Sequence, residues 1–314
     1  MIKLTYNLLR LLRPRQWMKN FAVFASITFT GELFDIPVVS KVVLGFFVFC
    51  ALSSATYIIN DIFDAKKDRL HPFKKFRPIA HGDVSVTLAA GLAVLLIIAS
   101  LFLAKTITPT FFAVCLIYLS IQFLYSSFLK SLAAIDILAI AAGYILRVYA
   151  GEFASGFHIS VWLLLTTISI SLFLAVGKRR SELTLLSANK DFNIESTRKS
   201  LSQYSEKLLD VYASIFATST FISYSLFTFL ENPGGFRISI GPLAPDFLST
   251  FFQKKWLMIT IIPVVYGLMR YLQDIYEKHE GESPEKVLFS DKPLLATVIV
   301  WAILVIILIY FVNP

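Results

Sequence analysis

Nine mostly apolar stretches divide the chain, roughly Trp17–Phe34, Val38–Ile59, Val84–Ala104, Ile107–Phe123, Leu132–Ala150, Ile159–Val176, Leu208–Leu230, Trp256–Tyr271 and Leu294–Val312. Each approaches the ~20 residues that a helix needs to cross the hydrocarbon of a bilayer. Polar and charged residues collect in the connections between them. There is no low-complexity tract, no separate soluble segment and no clear repeat. The pattern predicts an all-α, polytopic membrane helical bundle of about nine transmembrane helices, one integral membrane domain over residues 1–314. No removable leader is expected, because the N-terminus lacks a short apolar region followed by a small-residue cleavage site.

Composition sharpens this reading. The chain is 56% hydrophobic and only 16% charged, whereas soluble domains average about 45–50% apolar and about 25% charged. Too few charges remain to coat a soluble core. Lysine and arginine then set the orientation, since they accumulate on the cytoplasmic side. With the N-terminus inside, 23 of the 29 fall on the inner side and five on the outer, with Arg147 inside a span. The expectation is therefore a cell-membrane protein with its N-terminus and its charged loops cytoplasmic and its C-terminus outside. The net charge of +8 belongs to that asymmetry and gives no reason to expect nucleic acid. Cys50 and Cys115 lie within apolar runs without metal-ligand spacing, and are expected to pack as small hydrophobes.

The densest mixture of charges follows the second span, in "NDIFDAKKDRLHPFKKFRPIA" from Asn60 to Ala80. At 100° per residue, Asp61, Asp64 and Asp68 fall at about 0°, 300° and 340° on a helical wheel, and Asn60 at about 260°. Four oxygen-bearing side chains thus share one face at the end of a span. Such hard ligands suit Mg²⁺, which binds through one or two carboxylates plus substrate phosphates. Lys74 and Arg77 follow close behind, where cations would face phosphate oxygens. Metal and cations together describe a diphosphate site. The competing reading is a solvated loop whose charges pair with one another.

The same stretch carries a resemblance. "NDIFDAKKD" fits the N-D-x-x-D-x-x-x-D signature of the UbiA superfamily of membrane prenyltransferases, and the layout of nine spans is similar over essentially the whole chain. "RPRQWMKN", "HPFKKFRPIAHG", "YSSFLKSLAAIDILAIAAGYILRVYAG" and "GKRRSEL" resemble its decaprenyl-phosphate phosphoribosyltransferase branch. That resemblance implies Mg²⁺ on Asp61, Asp64 and Asp68, and transfer of phosphoribose from phosphoribosyl diphosphate (PRPP) to a polyprenyl phosphate, with diphosphate released. It implies substrate phosphate on Tyr125 and Lys130, and adds Lys19 to the substrate-binding residues.

One departure separates this chain from the wider superfamily. Ordinary members carry a second acidic motif after the sixth span, where this chain has Lys178, Arg179, Arg180 and Glu182. Cations bind phosphate directly, and PRPP carries an additional 5-phosphate while the acceptor lipid has its own. Lys178 and Arg179 are therefore the expected phosphate contacts, the alternative being flanking charge of the positive-inside kind. Asp136 and Arg147, eleven residues apart, share a face within the fifth span. Ionisable groups there face a cavity or a partner. At about 16 Å of axial separation the two cannot pair with each other. Asp136 is expected to meet ribose hydroxyls or a second metal. Arg147 is either cavity lining or a structural tie. Two other functions remain open on the sequence: prenyl transfer to an aromatic or glycerol-phosphate acceptor, and a non-enzymatic transporter or lipid-binding protein. Whether the chain works as a homo-oligomer is also open.

Overall fold

The short connections and capping residues of the sequence set where its helices begin. In this computed structural model, residues 2–69, 74–187, 200–231, 256–277 and 284–312 are described, and among them every regular element is helical. The order is α1 (Ile2–Leu12), a 3₁₀ segment (Pro14–Phe24), α2 (Ala25–Thr30), α3 (Ile36–Asp68), α4 (Pro78–His81), α5 (Val86–Ile107), α6 (Pro109–Ser127), α7 (Ile135–Ser155), α8 (Val161–Ser187), α9 (Glu206–Leu230), α10 (Ile261–Glu277), α11 (Pro284–Ser290) and α12 (Lys292–Tyr310). Asp35, Ser85, Thr108, Ser205 and Asp291 each accept a hydrogen bond from an N–H of the first turn that follows. Proline stands in the first turn of α3, α6 and α12. Both devices satisfy or remove the amide donors that a helix start leaves unpaired.

Eight helical stretches among the described residues are long and apolar enough to cross a membrane, one starting at Trp256 just before α10. Their outward faces are apolar too: Val94, Leu95, Ile98 and Phe102 of α5 are all exposed. In water such a surface would be a liability; against acyl chains it is the expected one.

The first predicted span, Trp17–Phe34, differs from expectation, because no continuous α-helix forms there. It still runs the length of the bundle. Arg13 reaches Asp61 at one end, and Ser26 donates to the Phe157 carbonyl at the other. The 3₁₀ winding makes this possible, rising about 2.0 Å per residue against 1.5 Å for an α-helix. Its partners explain the winding. Asn20 is fully buried among polar groups of α3 and α7. The Val23 carbonyl lies against Gly151 of α7, where an added Cβ would stand 1.9 Å from the Val23 oxygen. Gly151→Ala must therefore push the two elements apart. The expected cost is about 1–3 kcal/mol, as for other overpacked cores, read as a lowered unfolding temperature in detergent. An unchanged temperature would contradict this packing.

Candidate active site

α3 has 33 residues, about 50 Å at 1.5 Å per residue, against ~30 Å of hydrocarbon. Its last turns, from Asn60 to Asp68, therefore project past the apolar layer. There Asp61, only 2% exposed, receives Arg13 Nη2 at 2.5 Å and Arg77 Nη1 at 3.0 Å. Arg77 Nη1 also lies 2.7 Å from Asp68 Oδ2. Asp64 accepts from Lys130 Nζ at 2.5 Å and from Asn60 Nδ2 at 3.1 Å. Arg13 holds φ 51° and ψ 62°, a left-handed conformation that is unfavourable away from glycine and that clusters at functional sites. Its guanidinium stacks over Tyr57 at 5.1 Å, so ion pair and ring together hold the strained residue.

The three aspartates thus share a helix face, as the spacing predicts, yet each is met by a cation. Among the described residues no three acidic, histidine or cysteine side chains converge tightly enough to hold a metal alone. The donor set nevertheless fits a hard divalent cation completed by substrate oxygens. Arg77 Nη1 already stands between Asp61 and Asp68 as a bridging cation would. The Asn60 Oδ1 atom is buried with no hydrogen-bond partner, an oxygen donor left unused at the same place.

A second cluster faces this one from α6, α7 and α8. Arg179 is fully buried. Its Nε lies 2.7 Å from Asp136 Oδ2, its Nη1 2.5 Å from Glu182 Oε2, and its Nη2 donates to Tyr125 Oη at 2.9 Å. Lys74 Nζ, 3.7 Å from Glu182, ties this cluster to the Arg77 side. Lys178 is half-buried and makes no hydrogen bond or ion pair among the described residues. Tyr125, Lys19, Arg179 and Glu182 act on it electrostatically. Lys19 donates to Gln16 Oε1 at 2.7 Å and lies over the Tyr144 ring. Arg180 turns away, to Asp210 and Glu206.

Two expected residues are occupied elsewhere. Asp136 is 0% exposed, held by Arg179, Ser200 and Tyr204, and the protein itself supplies the partners that ribose or metal was expected to provide. Arg147 is buried, with Nε donating to Asn20 Oδ1 at 2.7 Å and Nη2 to the Tyr118 hydroxyl at 3.0 Å, and with Nη1 on the Gly143 carbonyl. Of the two roles left open for it, this geometry is that of the structural tie.

Sequence reasoning gave no site role to Arg13, Glu182, Ser200 or Tyr204. The first two had a signal: Arg13 opens the "RPRQWMKN" segment, and Glu182 is three residues after Arg179, on the same helical face. Ser200 and Tyr204 reach Asp136 across 64 and 68 residues, and nothing in their spacing marks them.

Comparison with known proteins bears on the family and the fold. The description of the UbiA prenyltransferase family matches residues 21–290. The decaprenyl-phosphate phosphoribosyltransferase of Mycolicibacterium smegmatis is 34% identical over 303 residues, covering 95% of this chain and 91% of that one. The protein of the same name from Corynebacterium glutamicum is 33% identical over 308 residues, covering 97% and 87%. A UbiA homologue from Archaeoglobus fulgidus, solved with GPP and Mg²⁺, superimposes with a TM-score of 0.70 at 19% identity, over 96% of this chain and 99% of that one. At that identity the likeness speaks for the fold.

Proposed function

The chain belongs to the UbiA prenyltransferase family, and on that premise we propose that it transfers 5-phosphoribose from PRPP to a polyprenyl phosphate such as decaprenyl phosphate, releasing diphosphate. The observation that carries this reading is the cluster at the end of α8. Where the wider superfamily places a second acidic motif, this chain presents Lys178 with Arg179 and Glu182, and Glu182 meets Lys74 of the segment whose Arg77 pairs with Asp61 and Asp68 of α3. Near-full-length relatives that share its sequence at about a third of positions carry the phosphoribosyltransferase name.

The reaction breaks the bond from ribose C1 to the diphosphate oxygen and forms one from C1 to an oxygen of the lipid phosphate. The lipid phosphate is anionic at neutral pH, so no strong general base is needed. Asp61, Asp64, Asp68 and Asn60 would hold Mg²⁺, which supplies charge neutralisation at the departing diphosphate. Arg13, Arg77 and Lys130, now paired with those aspartates, are placed to turn onto phosphate oxygens as the donor enters. Preorganised cations of this kind cost no reorganisation when charge develops. Lys178, without an acid of its own among the described residues, is assigned the phosphate that is not transferred.

The donor is water-soluble and made inside cells, so the site end of the bundle faces the cytoplasm. A single cysteine at Lys74 should resist an impermeant thiol reagent in intact cells, while one at Lys105, at the far end of α5, should react. The reverse labelling would overturn this orientation. The activity itself is tested with membranes bearing the chain, Mg²⁺, ribose-labelled PRPP and polyprenyl phosphates of several lengths. Label should enter the organic phase only when a polyprenyl phosphate is supplied, and absence of such label would refute the assignment.

A further inference from the structure

Lys130 and Asp136 flank the turn into α7, and that turn is strained. Ala134 has φ 64° and ψ −46°, and Ile135 N–H donates to the Ala133 carbonyl at 2.8 Å. This is a three-residue turn of the rare hand, which costs energy for any residue with a Cβ. No side chain caps the start of α7. The groups that hold the turn come instead from the segment before α9. Tyr204 Oη accepts the Ala134 N–H at 2.5 Å and donates to Asp136 Oδ1 at 2.7 Å. Ser200 Oγ shares its proton between the Lys130 carbonyl at 2.8 Å and Asp136 Oδ2 at 3.1 Å. Ser200 is fully buried and Tyr204 8% exposed, so water does not compete for these bonds. Burial and the Asp136 carboxylate both push the Tyr204 phenol above its usual range, which keeps it a donor.

The turn matters because of what leaves it on each side. Lys130 extends to Asp64 on α3. Asp136 holds Arg179 on α8. The seven residues from Lys130 to Asp136 therefore link a cation on one wall of the candidate site to a cation on the other. We infer that Tyr204 and Ser200 are positioning residues, which lock the turn at Ala134 and so fix Lys130 and, through Asp136, Arg179 at a set separation across the phosphate-binding site. Neither touches the substrate. The inference rests on the proposed function only in taking this end of the bundle as the place where diphosphate binds.

The test uses the full chain in detergent with Mg²⁺ and inorganic diphosphate, the moiety that PRPP and a prenyl diphosphate have in common. Binding is measured by calorimetry, and unfolding temperature is measured in parallel. Tyr204→Phe loses a bond to a buried carboxylate, and diphosphate affinity should fall about ten- to a hundredfold. Glycine adopts positive φ without strain, so Tyr204→Phe/Ala134→Gly should recover part of that affinity. If Tyr204→Phe binds diphosphate as wild type does, or if affinity falls only in step with unfolding temperature and the second change restores neither, the latch is refuted. Should Tyr204→Phe not fold, Ser200→Ala provides the same reading: weaker binding supports the latch and wild-type binding overturns it. A wild-type chain that binds diphosphate but moves no phosphoribose would fail the proposed function while leaving the latch intact.

Discussion

Asp64→Asn is expected to reduce phosphoribosyl transfer on the order of a thousandfold while the chain remains folded. The substitution keeps the shape of the side chain and the hydrogen-bonding partner Asn60, and removes the charge that a metal requires. Charge stabilisation by a bound cation is worth several kcal/mol, and each 1.4 kcal/mol is tenfold. Asp64 is the best of the three aspartates for this test. Its side chain is 21% exposed and faces one ammonium, Lys130. Asp61 is 2% exposed and faces two guanidinium groups, so its replacement would break buried pairs and confuse folding with chemistry. Part of the lost rate should return as Mg²⁺ is raised. Near-normal turnover of Asp64→Asn at limiting Mg²⁺ would remove the metal from this site.

The second large effect separates two neighbours in sequence. Arg179→Ala leaves Asp136 without its buried counter-ion and Glu182 without its nearest cation. Removing one partner of a buried pair costs about 3–5 kcal/mol, so this variant should unfold at a clearly lower temperature and lose activity with it. Lys178→Ala breaks no ion pair among the described residues and should keep the wild-type unfolding temperature. Its kcat/KM should fall about ten- to a hundredfold, the cost of one charge-assisted contact. Arg179→Lys should rescue little, because one ammonium cannot serve Asp136, Glu182 and Tyr125 in the directions that the planar guanidinium serves. Thermal unfolding and steady-state kinetics on the three variants decide the matter. Equal stability of Lys178→Ala and Arg179→Ala, or full activity of Lys178→Ala, would contradict the division of roles.

That division was only half legible in the sequence. The apolar runs located the eight helical stretches among the described residues that are long and apolar enough to cross, because length and hydropathy are additive along the chain. The first apolar run was found but not its 3₁₀ path, since its winding follows from the contacts of Asn20 with Arg147 and of Val23 with Gly151, more than a hundred residues apart. The shared face of Asp61, Asp64 and Asp68 was readable because helical spacing is local. Their pairing with Arg13, Arg77 and Lys130 was not, since the partners come from other segments. The same limit explains Arg179. Beside Lys178 in sequence the two look alike, and only the fold shows that one is paired with Asp136 and Glu182 while the other meets no acid among the described residues. Arg147 likewise reads as either cavity lining or a structural tie until Asn20 and Tyr118 are placed around it.

The central claim is that this site moves phosphoribose rather than a prenyl group. The purified wild-type chain, with Mg²⁺, is offered both reactions in one vessel: PRPP with decaprenyl phosphate, and a prenyl diphosphate with an aromatic acceptor. Mass spectrometry of the lipid fraction should show decaprenyl phosphate gaining one phosphoribosyl unit and the aromatic acceptor unchanged. A prenylated acceptor with unmodified decaprenyl phosphate would contradict the account.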